Sequence, residues 1–248
     1  MEAYHLARQG GYDVVSLRRI LNIESKNPNW LTHQNIDTIT NMCLLGEWSE
    51  SSNGDKEIIE TFTNQKYDDF IVQISPLLKV DNAPIVKIGS VWKVKSPIDL
   101  FSLILNHITD KHIERLKDII SYLSVDSDPD ALKKLEETGI QFRTNDQMIS
   151  NALKRGIYSN LAVLSNIFEH DDFDKSEKIK KIVSEELSSY DLKQYLSNRN
   201  FIIYLAAANP KAFLDFIIND IHKGGVLLDA LFKGRKKSDN YHKAIMWR

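Results

Sequence analysis

KIGSVWKVK, residues 87–95, carries the one β-hairpin signal in a chain whose other patterns are helical. Gly89-Ser90 separates two short runs of strand formers, with Ile85, Val86 and Ile88 before it and Val91, Trp92 and Val94 after it. Two residues suffice for a tight hairpin turn, and Gly89 takes a positive φ at little steric cost. Side chains alternate across a strand, so Trp92 and Val94 fall on one face and Lys93 and Lys95 on the other. Gly89, Trp92 and Val94 are therefore the residues expected to shape a half-buried ribbon. A lysine-faced hairpin among helices is a DNA-binding wing, a structural wing within a larger machine, or an incidental ribbon.

Upstream of the hairpin, two short helices are expected. DKEIIETFT, residues 55–63, places Ile58, Ile59 and Phe62 on one face, and YDDFIVQISPLLKV, residues 67–80, repeats Phe70, Ile71, Ile74, Leu77 and Leu78 at helical spacing. Pro76 removes one backbone donor and should bend or tighten the end of the second helix. SESSNGD reads as a polar break with a turn at Asn53-Gly54. Before it, NWLTHQNIDTITNMCLLGEW has helical spacing, and Gly10-Gly11 ends a first short helix. From Pro97 onward every segment is helical, with cap candidates at Thr109, Ser176, Asp191 and Asn209-Pro210. The expected fold is mainly α: a helical lid-like segment over 1–50, a winged-helix domain with one β-hairpin over 51–108, and an α-helical bundle or solenoid-like region over 109–248.

Two helices, a linker and a hairpin are the order of a winged-helix domain, whose second helix reads DNA when it enters the major groove. Here that helix opens with Asp68-Asp69. Residues 55–80 hold three lysines against five carboxylates, and the wing adds three lysines against Asp81, so residues 55–95 carry no net charge. Affinity for duplex DNA rests largely on neutralising phosphates. Nucleic acid is therefore the lesser expectation, and a structural or protein-contacting wing the greater.

The whole chain has a net charge of −2, so no global field draws it to an anionic surface. Its single cysteine, Cys43, sits among apolar neighbours and cannot form an internal disulfide, which fits a reducing, cytoplasmic compartment. No apolar run reaches the ~20 residues of a membrane span, and the first residues lack the basic-then-apolar order of a signal peptide.

HLARQGGYDVVSLRRIL (5–21), LLGEWSESSNGDKEIIETFTNQKYDDF (44–70) and DNAPIVKIGSVWKVKSPIDLFSLI (81–104) resemble, in that order, the segment that follows the nucleotide-binding core of bacterial antiviral STAND NTPases, the NLR-like phage sensors. NALKRGIYSNLAVLSNIF (151–168), LAAANPKAFLDFIINDI (205–221) and YHKAIMW (241–247) are similar to the same family's next helical region. The resemblance implies an effector, a P-loop ATPase core that binds ATP and Mg, this winged-helix and helical middle, and repeats that grip a phage protein. Recognition then drives homo-oligomerisation and effector activation. It also implies that Arg18 and Arg19 lie in a lid helix, where one could sense a γ-phosphate held by the core; the alternative is that both are surface charges packed along their aliphatic stems.

The chain departs from that family in having no GxxxxGK[ST], and indeed no Gly-Lys pair. Without a phosphate cradle it binds no triphosphate by itself. The expectation is an internal or split component with no cofactor and no catalytic residues of its own. Its partners would be a P-loop NTPase domain of the same protein or complex and, through adjoining repeats, a phage protein. A stand-alone winged-helix DNA-binding regulator is the alternative.

Weaker constellations remain. Asp126, Asp128, Asp130 and Glu137 match four positions of a calcium loop, but Ala131 stands where that loop's sharp turn wants glycine, and an acidic helix-capping linker explains them equally. His107 and His112 are five apart and share no helical face. His170 with Asp171, Asp172 and Asp174 is a weak cation candidate or a solvated turn, and no metal site is expected. FKGRKKSDNYHK, residues 232–243, is the most basic stretch and reads as an exposed loop.

Overall fold

The structure is a computed structural model that describes Pro28, Trp30, Leu31 and residues 35–125 and 149–233. The expected lid arginines Arg18 and Arg19, the calcium-like loop at 126–137, His242 and most of the basic stretch at 232–243 lie outside the described residues.

The described chain is mainly α-helical with one small antiparallel sheet. Helix α1 (Ile36–Leu45) starts where the Asn35 side chain accepts from Asp37 N–H. It stops at Gly46, whose φ of 73° a Cβ would oppose. Strand β1 (Glu47–Ser49) follows at once, then α2 (Asn53–Thr63), α3 (Tyr67–Ile74), a 3-10 turn (Ser75–Leu78), β2 (Ile85–Ile88) and β3 (Val91–Val94). Strand order is β1-β3-β2, with Trp48 opposite Trp92 and Ile85 opposite Val94. Gly89 takes a φ of 60° in the hairpin turn, and no atom crowds the place of its missing Cβ.

The hairpin is thus not alone. Glu47-Trp48-Ser49, read above as the tail of a helical stretch, pairs with β3, and three residues are too few to show alternation. Asn53-Gly54 is no turn but the first turn of α2, because the Ser52 hydroxyl accepts from Asp55 N–H and caps it. The helix expected over 67–80 ends at Ile74, and Pro76 lies in the tighter turn that follows. Trp92 and Val94 are buried and Lys93 is exposed, as alternation requires. In β2 it is Ile85 that is buried, while Val86 is half-buried opposite Lys93.

Beyond the sheet come α4 (Pro97–Ile104), α5 (Asp110–Val125), the long α6 (Asn151–Asp171), α7 (Phe173–Ser189), α8 (Leu192–Asn198), α9 (Ile202–Ala208), α10 (Pro210–His222) and α11 (Val226–Lys233). Asp191 and Asn209 cap α8 and α10 as expected, the former in a reciprocal capping box with Gln194. Ser176 does not cap α7; Asp172 does, and Ser176 is buried, donating to Ser165 O at 3.0 Å.

Helix α6 is the spine. Its 21 residues span about 32 Å, pack on β1, α1 and α4, and also meet α7 and α9. One hydrophobic core runs from Trp30 to Ala208 through its buried Leu153, Ile157, Leu161, Leu164 and Phe168. Among the described residues no helix is long and apolar enough to cross a membrane.

Candidate functional site

The candidate site is the junction of the sheet with α6, where two backbones nearly touch. A Cβ on Gly156 would lie 2.4 Å from both Leu45 O and Glu47 N, a separation real side chains do not reach. Only glycine lets α6 approach the α1–β1 corner this closely. One turn on, Asn160 Nδ2 donates to Cys43 O at 2.8 Å and Leu44 O at 2.9 Å, so α6 satisfies carbonyls that α1 leaves open at its end. Gly46 O in turn accepts from Val94 N–H at 2.7 Å, which ties the corner to β3.

Charge surrounds this contact. Glu47 is nearly buried and accepts from Arg155 Nε at 3.0 Å and from Arg155 Nη2, with Lys93 Nζ at 3.8 Å. The hydrogen bond to Glu47 pushes the Arg155 pKa up, keeping the guanidinium charged. Beside them an open groove of about 610 Å³ is lined by Lys93, Lys95, Pro97, Arg155, Ser159 and Tyr204. Ser159 donates its hydroxyl proton to Gly156 O at 3.0 Å, so it is not set beside a base.

Asp55 fastens the other end of the junction. Its fully buried carboxylate accepts from Ser49 N at 2.7 Å, Ser52 Oγ at 3.0 Å, Ser150 N at 2.7 Å and Ser150 Oγ at 2.6 Å. Ser52 and Ser150 are the N-caps of α2 and α6, so one carboxylate serves the starts of two helices 95 residues apart in sequence. Burial pushes its pKa up, and the hydrogen bonds from Ser150, Ser49 and Ser52 hold that rise back.

The wing lysines are engaged. Lys87 Nζ lies 2.7 Å from Glu50 Oε2 and 5.1 Å above the Trp92 ring, whose Nε1 donates to the same Glu50 oxygen at 3.1 Å. The Lys87 hydrogen bond holds the Glu50 pKa below its ordinary value. Inside, Trp92 stacks on Trp48 at 5.9 Å and 6° between planes. On the outside of α3, Asp68 and Asp69 are exposed.

Deeper along α6, Tyr158 Oη donates to Glu186 Oε1 at 2.9 Å in a buried contact with α7. Desolvation pushes Glu186 up to about 7. Burial pushes the Cys43 thiol far up, so it is an inert core group. Among the described residues no group of three His, Cys, Asp or Glu side chains is arranged to hold a metal ion. Near His170, Asp172 pairs with Lys175 and Asp174 with Lys178. His112, far from His107 in role, accepts at Nδ1 from Thr109 N–H and meets Asp37.

Of the residues expected from sequence, the structure brings Trp92 and Val94 into the junction and leaves Gly89 at the free tip of the hairpin. Glu47, Asp55, Arg155, Gly156 and Asn160 were not anticipated. One signal was present: an isolated glycine inside the helical pattern NALKRGIYSNLAVL marks a close packing contact. Comparison with protein-family models, with curated proteins and with solved structures found no match to the chain.

Proposed function

We propose that this chain is the regulatory and scaffold segment of a STAND-type antiviral NTPase. In this reading it couples recognition of a phage protein to nucleotide-dependent oligomerisation and effector activation, and it works in the cytoplasm without catalysis of its own. The α1–β1–α2–α3–β2–β3 unit is then a winged helix. The observation that carries the reading is the fusion of this unit to α6 at Gly156, Asn160 and Asp55. A unit locked to a 21-residue helix moves with it as one body, which is what a relay between a recognition array and a nucleotide domain needs. The nucleotide, its Mg and the P-loop belong to the partner domain, with Arg18 or Arg19 placed as sensors.

A DNA-binding wing is the second reading, and the charge pattern weighs against it. Lys87 and Lys93 already face Glu50 and Glu47, and α3 would present Asp68 and Asp69 to phosphates. The test is purification of the native gene product from its host with an antibody against this segment. The relay reading expects a P-loop ATPase, in the same polypeptide or bound to it. A lone 28.5 kDa protein that binds duplex DNA with a steep salt dependence would overturn it.

A further inference from the structure

Helix α10 is apolar on two sides. Its inner side meets α7 and α9, with Ala212, Phe213 and Phe216 packed against the core. Its outer side carries Leu214, Ile218 and Ile221, which are 58%, 48% and 56% exposed. The spacing of four and three residues puts them on one stripe. Ile203, on the helix that leads into α10, adds a fourth side chain at 63% exposure. A helix that is apolar on opposite sides is expected to have cover on both. The exposed stripe amounts to a few hundred Å², the size of patch that marks an interaction site on a small protein.

We infer that this stripe is the docking site of the chain's own residues 241–248, YHKAIMWR. Fifteen residues, 234–248, follow α11, which itself packs on α10. The first seven, GRKKSDN, hold no apolar residue and include Gly234 and Asn240, so they read as a linker. Fully extended, seven residues reach about 23 Å, more than the ~20 Å length of a 13-residue helix such as α10. The last eight change character. On a helix Tyr241, Ala244 and Ile245 share one face with Trp247 at its margin, a strip that matches the length of the exposed stripe. The size of the stripe also selects this occupant over a second copy. A stable interface between separate chains buries ~800 Å² per partner, about twice what the stripe offers, whereas a tethered segment binds at an effective concentration in the millimolar range and needs far less.

The test is a cysteine pair, Ile218→Cys with Ile245→Cys, in the 248-residue chain, with Glu57→Cys plus Ile245→Cys as control because Glu57 is exposed on α2 and belongs to another face of the molecule. Cys43 is fully buried with its thiol pKa pushed up, and stays out of the reaction. After mild oxidation, peptide mass spectrometry should find an intramolecular link between positions 218 and 245 well above the control. A link formed only between two chains would assign the stripe to a second copy and overturn the inference, as would no link above control. In parallel, Leu214→Glu with Ile218→Glu changes only exposed positions and should speed tryptic cleavage after Lys243 by about tenfold or more, since cleavage follows the undocked population. Equal cleavage in parent and variant would overturn it as well.

Discussion

The two ends of the described chain are built in opposite ways. At the sheet junction the contacts are polar, directional and buried: Asp55 with its four donors, Asn160 on two carbonyls, Gly156 against backbone. At α9–α11 the contacts are apolar, and the outer stripe of α10 faces solvent. The first kind of contact holds one geometry, because each displaced donor or acceptor would be left unsatisfied in a place water does not reach. The second tolerates sliding and exchange, because apolar surface has no directional requirement. A relay needs the first where two bodies must move together, and a docking surface can be made of the second.

The largest effect that would break this contrast is in the sheet. Trp92→Ala removes a side chain that is 2% exposed and stacked on Trp48, and it should cost about 4 kcal/mol of stability by urea denaturation. Val86→Ala should add little to it, since Val86 is only half-buried. A Trp92→Ala protein as stable as the parent would mean that the wing is not packed on the core.

Gly156→Ala sharpens the comparison at its closest point. Alanine would help an ordinary helix by ~1 kcal/mol, but here its Cβ meets two backbone atoms that cannot rotate away. A net loss of about 2 kcal/mol is expected by the same measurement, of the size overpacking produces. A gain in stability would show that the α6–β1 approach is looser than 2.4 Å allows.

The pH dependence of stability probes the buried side of α6. Glu186 titrates near 7 in the fold, against 4.5 for an ordinary glutamate. The folded state therefore holds the proton more tightly than the unfolded chain. Its contribution is most favourable below about pH 4.5, falls as pH rises through the interval to 7, and levels off above it. The total change is roughly 3 kcal/mol at most. Glu186→Gln keeps an acceptor for Tyr158 and should remove that slope, so the difference in stability between variant and parent should grow from pH 5 to pH 8. A difference independent of pH would place the Glu186 pKa at its ordinary value. His112 contributes in the opposite direction, since burial lowers its pKa, and the variant-minus-parent comparison cancels it.

The smallest effect lies on the stripe. Leu214→Ala should change global stability by no more than ~0.5 kcal/mol, as exposed substitutions do. A loss comparable to that of Trp92→Ala would mean that the stripe is core.

Much of the fold was legible from residues alone. The Gly89-Ser90 turn and the alternation of Trp92, Lys93 and Val94 specify the hairpin, because period-two burial and a turn that wants positive φ are local properties. Asp191 and Asn209-Pro210 announce their helices for the same reason: a cap acts on the turn beside it. The candidate site was less so. Gly156 could be flagged as an interruption of a helix, but its purpose required knowing that Leu45 and Glu47 lie against it.

By itself, the sequence determined a mainly α chain with one hairpin and placed Trp92 and Val94 on its buried face, since these follow from periodicity and turn chemistry over a few residues. Only the tertiary structure decided that Glu47-Trp48-Ser49 is a third strand, that Asp55 links the starts of α2 and α6, and that Glu50 and Glu47 occupy the wing lysines. These depend on residues from about 40 to more than 100 positions apart meeting in space. No local pattern records such meetings, because what brings them about is burial of the shared core.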